Sequence, residues 1–180
     1  MNAIDKIKDD IFNLVNKYAD IKYQDKIFEP NKSFIPVSGK VIDHSEIKFI
    51  VESALDGWLT TGRFNDEFEK RLSNFLGVKY LLTTNSGSSA NLLAFSALTS
   101  SKLKDRAIKK GDEVITVAAG FPTTINPLIQ FGAIPVFVDV KLDTLNIDET
   151  QIEEAISSKT KAIVLAHTLG NPFNLSVILQ

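Results

Sequence analysis

A glycine and several serines gathered where a chain turns into a helix can hold an anion. Leu82-Thr83-Thr84-Asn85-Ser86-Gly87-Ser88-Ser89-Ala90-Asn91 has that composition. Leu93, Ala94, Ala97 and Leu98 follow at helical spacing from Ala90, so a strand delivers a Gly/Ser turn into a helix N-terminus. The first-turn N–H groups of a helix lack intrahelical partners, and the aligned peptide dipoles place partial positive charge there. Gly87 lets the backbone come close and Ser88 and Ser89 add hydroxyl donors, which makes a phosphate the natural guest. Gly-x-Gly-x-x-Gly is absent, as is the Gly-Lys-Ser/Thr ending of a P-loop, so a single phosphate suits the turn better than a pyrophosphate. The same residues also suit a plain capped helix, with Ser as cap and Gly as turn residue.

Ile115-Thr116-Val117-Ala118-Ala119-Gly120-Phe121-Pro122-Thr123-Thr124 reads as a strand running into a turn at the carboxyl end of a sheet. Ligands of open α/β sheets sit outside those strand ends, so Phe121 is placed to face the same crevice as Ser88 and to stack on a flat heteroaromatic ring. A ring that merely plugs the core is the alternative. His44 neighbours a helix start and reads as a polar cap neighbour; His167 ends a strand, where it bonds the backbone or reaches a ligand. No pair of histidines or carboxylates has a metal-ligand spacing. The absence of cysteine excludes disulfides, thiol nucleophiles and iron–sulfur ligation within these residues.

The elements that must position these groups follow from periodicity. Ile4, Ile7, Ile11, Leu14 and Tyr18 predict an amphipathic opening helix, and Pro30, Pro36 and Gly39 mark an extended connector from Tyr23 to Lys40. Residues 1–40 thus read as a helical extension with linker, and 41–180 as the start of a large domain. Asp43-His44-Ser45-Glu46 has capping-box spacing before Ile47, Ile50, Val51, Ala54 and Leu55; Phe64, Phe68, Leu72, Phe75 and Leu76 form a second stripe closed by Gly77. Both helices are expected to cover a sheet. Strands are predicted at Tyr80–Thr83, Glu113–Ala118, Ile134–Val140 and Ala162–His167, with helices at Ser88–Leu98, Thr123–Phe131 and Glu149–Ser157. That alternation predicts an α/β fold with a mainly parallel sheet flanked by helices.

The 180 residues carry a net charge of −2 from 20 basic and 22 acidic side chains, without the runs of about five like charges that mark nucleic-acid tails. Nothing approaches the roughly 18 to 20 apolar residues of a membrane span, and MNAIDKIKDD lacks a signal-peptide run, so a cytoplasmic location is expected.

Several ordered segments resemble the DegT/StrS-type sugar aminotransferases of the aspartate-aminotransferase superfamily (PLP fold type I). They are Gly57-Trp58-Leu59-Thr60-Thr61-Gly62, Thr84 to Asn91, Lys110 to Ile115, Pro135 to Asp139, Asn146-Ile147-Asp148 and Thr160 to Ile163. Thr84 to Leu93, Ala118 to Thr124 and His167-Thr168-Leu169-Gly170-Asn171-Pro172-Phe173 are most similar to the branch that removes the carbon-3 hydroxyl of CDP-4-keto-6-deoxyglucose in O-antigen and lipopolysaccharide biosynthesis. The resemblance implies a pyridoxal or pyridoxamine phosphate coenzyme, with Gly87, Ser88 and Ser89 at its phosphate, Phe121 on its ring, and Thr60, Thr61 and Gly62 near the sugar nucleotide.

The resemblance also implies that no catalytic residue lies within the chain. The aspartate that pairs with the pyridine nitrogen is expected beyond Gln180, as is the Schiff-base lysine or the histidine that replaces it in the dehydratases. The 180 residues alone are then expected to be inactive. A histidine there can move a proton but cannot link covalently to the coenzyme, whereas a lysine would mean amino transfer. A CDP-sugar substrate, a homodimer and a separate NADH-dependent flavin and iron–sulfur reductase are implied, and any cluster in the dehydratase itself needs cysteines beyond Gln180. A non-catalytic fragment and an unrelated nucleotide-binding α/β module are the readings from other classes.

Overall fold

Local chemistry explains where the helices begin. In the computed structural model, which describes residues 2–24, 27–36 and 38–179, the Asn2 side chain accepts from the N–H of Asp5 at 2.9 Å and the Asp5 carboxylate accepts from the N–H of Asn2 at 3.1 Å. This reciprocal cap opens α1, Ala3–Lys22. The second helix, α2, His44–Leu55, opens on the predicted box: Glu46 accepts from the N–H of Asp43 at 2.7 Å and Asp43 accepts from the N–H of Ser45 at 2.6 Å. A third, α3, Arg63–Leu76, ends at Gly77, whose φ of +67° is the left-handed conformation expected of a closing glycine. Asp25, Lys26 and Val37, within the predicted connector, lie outside the described residues, as do Met1 and Gln180.

The chain divides into two units, Met1–Leu81 and Leu82–Gln180. In the first, α1 meets α2 through polar and aromatic groups. Lys8 pairs with Glu52 at 2.9 Å, and the ammonium groups of Lys8 and Lys48 lie 5.4 and 4.8 Å from the centroid of the Phe12 ring. Phe49 and Phe64, 5.8 Å apart edge to face, join α2 to α3. Ile4, Ile7, Leu14 and Tyr18 of the opening stripe are exposed, as are Phe68, Phe75 and Leu76 of α3.

The second unit is a parallel α/β layer. After α4, Gly87–Leu98, come β1, Glu113–Val117; α5, Pro122–Gln130; β2, Ile134–Val138; the short α6, Ile152–Ala155; β3, Thr160–Ile163; and α7, Leu175–Ile178. The strand order is β2-β1-β3, both pairs parallel, with Val114 opposite Pro135 and Ala162, and Ile115 opposite Val136 and Ile163. As the middle strand, β1 is covered on both faces, and Val114, Ile115 and Thr116 are fully buried. Alternate residues feed opposite layers: Val114 packs with Phe95, Ile108, Leu128 and Ala133, while Ile115 and Val117 pack with Val138, Ile147 and Ile152. Helices α4 and α5 therefore lie on one face and the Ile147–Ile152 segment on the other. Among the described residues no helix is long and apolar enough to cross a membrane.

Four sequence expectations change. Tyr80–Thr83 forms no strand: a strand exists only by pairing, the three-stranded sheet ends at β2 and β3, and Tyr80 and Leu82 are exposed. The strand expected at Ala162–His167 pairs earlier, over Thr160–Ile163, because its ladder with β1 ends at Ile115–Ile163, although the N–H of Val164 still reaches the carbonyl of Ile115 at 2.9 Å. β2 stops at Val138, and Val140 instead makes a lone antiparallel bridge with Ile147. The helix expected at Glu149–Ser157 is a 3-10 turn, Glu149–Gln151, followed by α6 alone.

Two stability predictions follow. Gly132 has φ +76°, and a Cβ there would stand 2.9 Å from Cγ of Lys110; Gly132→Ala is expected to cost about 1–3 kcal/mol and to lower the denaturation midpoint. The nearly buried Glu149 is held below the usual carboxylate range first by the hydrogen bond from Lys141 and also by the N–H of Asn174, against the desolvation that raises it. A depressed folded-state pKa gives stability that is present above the unfolded value, near 4.3, and lost as pH falls through the folded value. Glu149→Gln should remove that part of the acid dependence in pH-resolved unfolding curves.

Candidate functional site

Ser86 accounts for the helix cap at the start of α4. Its Oγ accepts from the N–H of Ser89 at 3.1 Å, its hydroxyl donates to Oγ of Ser89 at 3.1 Å, and Thr84 donates to its carbonyl at 2.9 Å. With the capping done by Ser86, the hydroxyl of Ser88 and the N–H groups of Gly87 and Ser88 have no partner among the described residues. Gly87 and Ser88 are exposed, Ser89 is half-buried, and a Cβ added to Gly87 would meet nothing within 4 Å. The structure thus places the three predicted residues in one turn at the positive end of a 12-residue helix.

Phe121 precedes α5 as its N-cap residue and is 71% exposed, so its ring does not plug the core. Pro122, in the first turn, supplies the fixed φ that starts α5 where β1 has left the sheet. Asn91, one turn into α4, donates to the carbonyl of Thr123 at 3.4 Å, which ties the first turns of α4 and α5 together. Ser88 and Phe121 accordingly belong to the same end of this layer. A hollow of about 180 Å³ beside the two helices is lined by Ser88, Ser89, Leu92, Thr123, Asn126 and Gln130, among others. The amides of Asn126 and Gln130 were not read from the sequence; their helical i, i+4 spacing was the available signal.

In the first unit, Thr60, Thr61 and Gly62 line a larger hollow of about 760 Å³ with Asp56, Trp58 and Arg63. The Trp58 indole donates to the carbonyl of Thr61 at 2.8 Å and closes the turn. Arg63 forks onto Asp56 at 2.8 and 3.1 Å and reaches Glu52 at 3.0 Å. Those bonds to Asp56 and Glu52 hold the guanidinium well above its ordinary pKa; Arg63 in turn lowers the Asp56 carboxyl, and that of Glu52 is lowered first by the hydrogen bond from Lys8 and then by Arg63. Sequence reading passed over Asp56, Trp58 and Arg63 as candidate site residues because their interaction spans a non-repetitive turn.

His44 lies 3.9 Å from the Asp43 carboxylate beside the cap of α2. The His167 ring stacks on Phe173, with centroids 4.3 Å apart and planes inclined by 27°, and its imidazole has no hydrogen-bond partner among the described residues.

A parallel layer with exposed helix N-termini at the carboxyl ends of its strands is the architecture of the large domain of PLP fold type I enzymes. The chain belongs to the DegT/DnrJ/EryC1/StrS aminotransferase family, whose model matches residues 40–180. It is 60% identical over 172 residues to the lipopolysaccharide biosynthesis protein RfbH of Salmonella typhimurium, covering 96% of this chain and 39% of that protein. It is 49% identical to a dTDP-4-dehydro-2,6-dideoxy-D-glucose 3-dehydratase of Saccharopolyspora spinosa, covering 79% and 31%. The structure of the GDP-4-keto-6-deoxy-D-mannose-3-dehydratase of E. coli with bound hydrated PLP matches with a TM-score of 0.72 at 40% identity, covering 79% of this chain and 36% of that one. The chain therefore spans between three and four tenths of the length of these relatives.

Gly62 gives a direct test of the turn in the first unit. A Cβ there would stand 3.0 Å from Cδ1 of Trp58. Gly62→Ala is expected to displace the indole, and because Trp58 is the sole tryptophan, its fluorescence emission should change. Unchanged emission would count against the close approach.

Proposed function

We propose that the full-length protein is a PLP- or PMP-dependent enzyme that dehydrates a CDP-linked 4-keto-6-deoxyhexose at carbon 3 during cell-surface polysaccharide biosynthesis. The observation that carries this reading is the division of labour at α4: Ser86 caps the helix and leaves the Gly87 and Ser88 N–H groups and the Ser88 hydroxyl for a ligand. The residues present fit a singly phosphorylated, flat coenzyme. Gly87, Ser88 and Ser89 would hold its phosphate by charge-assisted hydrogen bonds, and the exposed Phe121 would lie against its ring. When bound, such a coenzyme supplies an electron sink beside the sugar carbonyl, so that the carbon–oxygen bond at carbon 3 can break.

Support for dehydration over other sugar chemistry comes from the relatives named as 3-dehydratases and from the identity to a lipopolysaccharide biosynthesis protein along nearly the whole chain. The CDP assignment rests on the branch resemblance carried by Thr84 to Leu93, Ala118 to Thr124 and His167 to Phe173. In the same reading residues 41–180 form the N-terminal part of the coenzyme-binding domain and 1–40 an extension. The hollow at Thr60, Thr61 and Gly62 is proposed as a surface for the sugar nucleotide, where hydroxyls and an indole can meet a hydroxylated ring. The full protein is proposed to work in the cytoplasm as a homodimer served by a separate electron-donating reductase. Amino transfer is the second reading, favoured by the family description. A lysine at the coenzyme-linking position, which the resemblance places beyond Gln180, would select it, and a histidine there selects dehydration.

The test uses coenzyme-loaded full-length protein. Ser88→Ala combined with Ser89→Ala removes hydroxyl donors to a charged group, each worth about 1.5–3 kcal/mol, so coenzyme retention should fall at least about tenfold. Phe121→Ala should weaken retention and alter the coenzyme absorbance while the melting temperature holds. Full retention in the serine double variant would sink the phosphate assignment.

A further inference from the structure

The loop that leaves β3 is held more firmly than a connector requires. Asn146 is 3% exposed, and both ends of its amide are spent on this loop: Nδ2 donates to the carbonyl of Asn171 at 2.9 Å, and Oδ1 accepts from the N–H of Thr168 at 3.1 Å. Glu149, on the next turn, accepts from the N–H of Asn174 at 3.0 Å with one oxygen and from the Lys141 ammonium with the other. A buried amide and a buried carboxylate are costly when unpaired, so these bonds select one placement of residues 168–174.

Between the anchors the backbone is strained. Leu169 has φ +54°, disfavoured for a residue with a Cβ, and its side chain is 89% exposed, so burial does not offset its conformation; Gly170 beside it takes φ +79° at no steric cost. Such strain persists only where the surroundings over-determine it, and it gathers at ligand-binding sites. Just ahead of the loop, His167 is exposed and unpaired among the described residues, and its ring is steadied against Phe173. β3 runs parallel to β1 and beside it, so His167 emerges at the sheet end from which the chain proceeds to Phe121.

We infer that His167 is a further substrate-contacting residue of this site, hydrogen-bonding a hydroxyl of the sugar, and that Asn146 and Glu149 are positioning residues that act through the 168–174 loop. The inference rests on the function proposed above and adds, within the second unit, a contact to the sugar. Neutral imidazole both donates and accepts, which suits a hydroxyl partner.

The experiment takes coenzyme-loaded full-length protein and follows carbethoxylation of His167 and His44 by diethyl pyrocarbonate with peptide mass spectrometry. A CDP-linked 4-keto-6-deoxyhexose at about ten times its Kd should slow modification of His167 by about tenfold, since only the unbound fraction reacts, and leave His44 unchanged. CDP alone, which lacks the sugar, should protect neither. His167→Gln should lower kcat/KM about tenfold with melting temperature and coenzyme retention unaltered. Asn146→Ala should lower kcat/KM by a like factor, and the double variant should be no worse than either single one, a non-additivity that a merely structural asparagine would not produce. Should Asn146→Ala fail to fold, the protection experiment still decides. Equal His167 labelling with and without the sugar nucleotide, or full protection by CDP alone, overturns the inference. A full-length protein that takes up no coenzyme overturns the proposed function and this inference with it, whereas uptake with an unprotected His167 overturns this inference alone.

Discussion

Parallel strands leave a sheet at one end, and the placement of every candidate group in the second unit depends on that constraint. A parallel pair cannot be closed by a tight turn, so β1 and β2 are each followed by a connection that must cross back over a face of the sheet before the next strand. The helices in those connections start where strands finish. Phe121, at the start of α5, and His167, past the end of β3, consequently gather at the same end although they are far apart in sequence, and the hydrogen bond from Asn91 to the carbonyl of Thr123 brings the first turn of α4, with Ser88, to that end. The buried Val114, Ile115 and Thr116 hold that arrangement, because a shift of one residue along β1 would exchange the side chains of its two faces.

What the sequence revealed of the fold tracks how local the governing physics is. The Asp43–Glu46 cap and the closing Gly77 depend on a few neighbouring residues and were read correctly. β1 was legible because a strand covered on both faces is almost continuously apolar, and its predicted extent differs from the observed one by a single residue. Tyr80–Thr83 has the same apolar character, yet pairing is a property of two segments and cannot be read from one of them. The opening helix was read from its apolar stripe, but its cap was missed for a different reason. Asn2 and Asp5 make the reciprocal bonds of a capping box with side chains shorter than the usual Ser/Thr and Glu/Gln, so the pattern escaped while the physics held.

The candidate site divides along the same line. A glycine and two serines opening a helix advertise themselves, and so does an aromatic residue after a buried strand. Asp56, Trp58 and Arg63 do not, because a guanidinium fork across a seven-residue interval has no period to betray it. Asn146 and Glu149 were equally hidden: their partners are backbone groups more than 20 residues away, and backbone groups leave no trace in side-chain composition. The segment Asn146-Ile147-Asp148 was recognised only as part of a family resemblance, and the structure supplies its physical content, an amide that fastens a distant loop.

The serine-rich turn shows why a helix start alone is a weak pointer and why the arrangement around α4 says more. A lone serine cap satisfies an N–H and has no further task; a second serine that is capped by nothing and caps nothing has an unused hydroxyl beside unused N–H groups. Ser86 makes the bonds of the first kind, and Ser88 is the residue of the second kind. Were the turn only a cap, Ser88 could be any helix former and Gly87 would have no task of its own, since here no crowding or positive φ demands a glycine. The missing Cβ makes sense when something absent from the chain itself must come close to the Gly87 backbone. A phosphate approaching along the helix axis meets that condition, as in the coenzyme site proposed above.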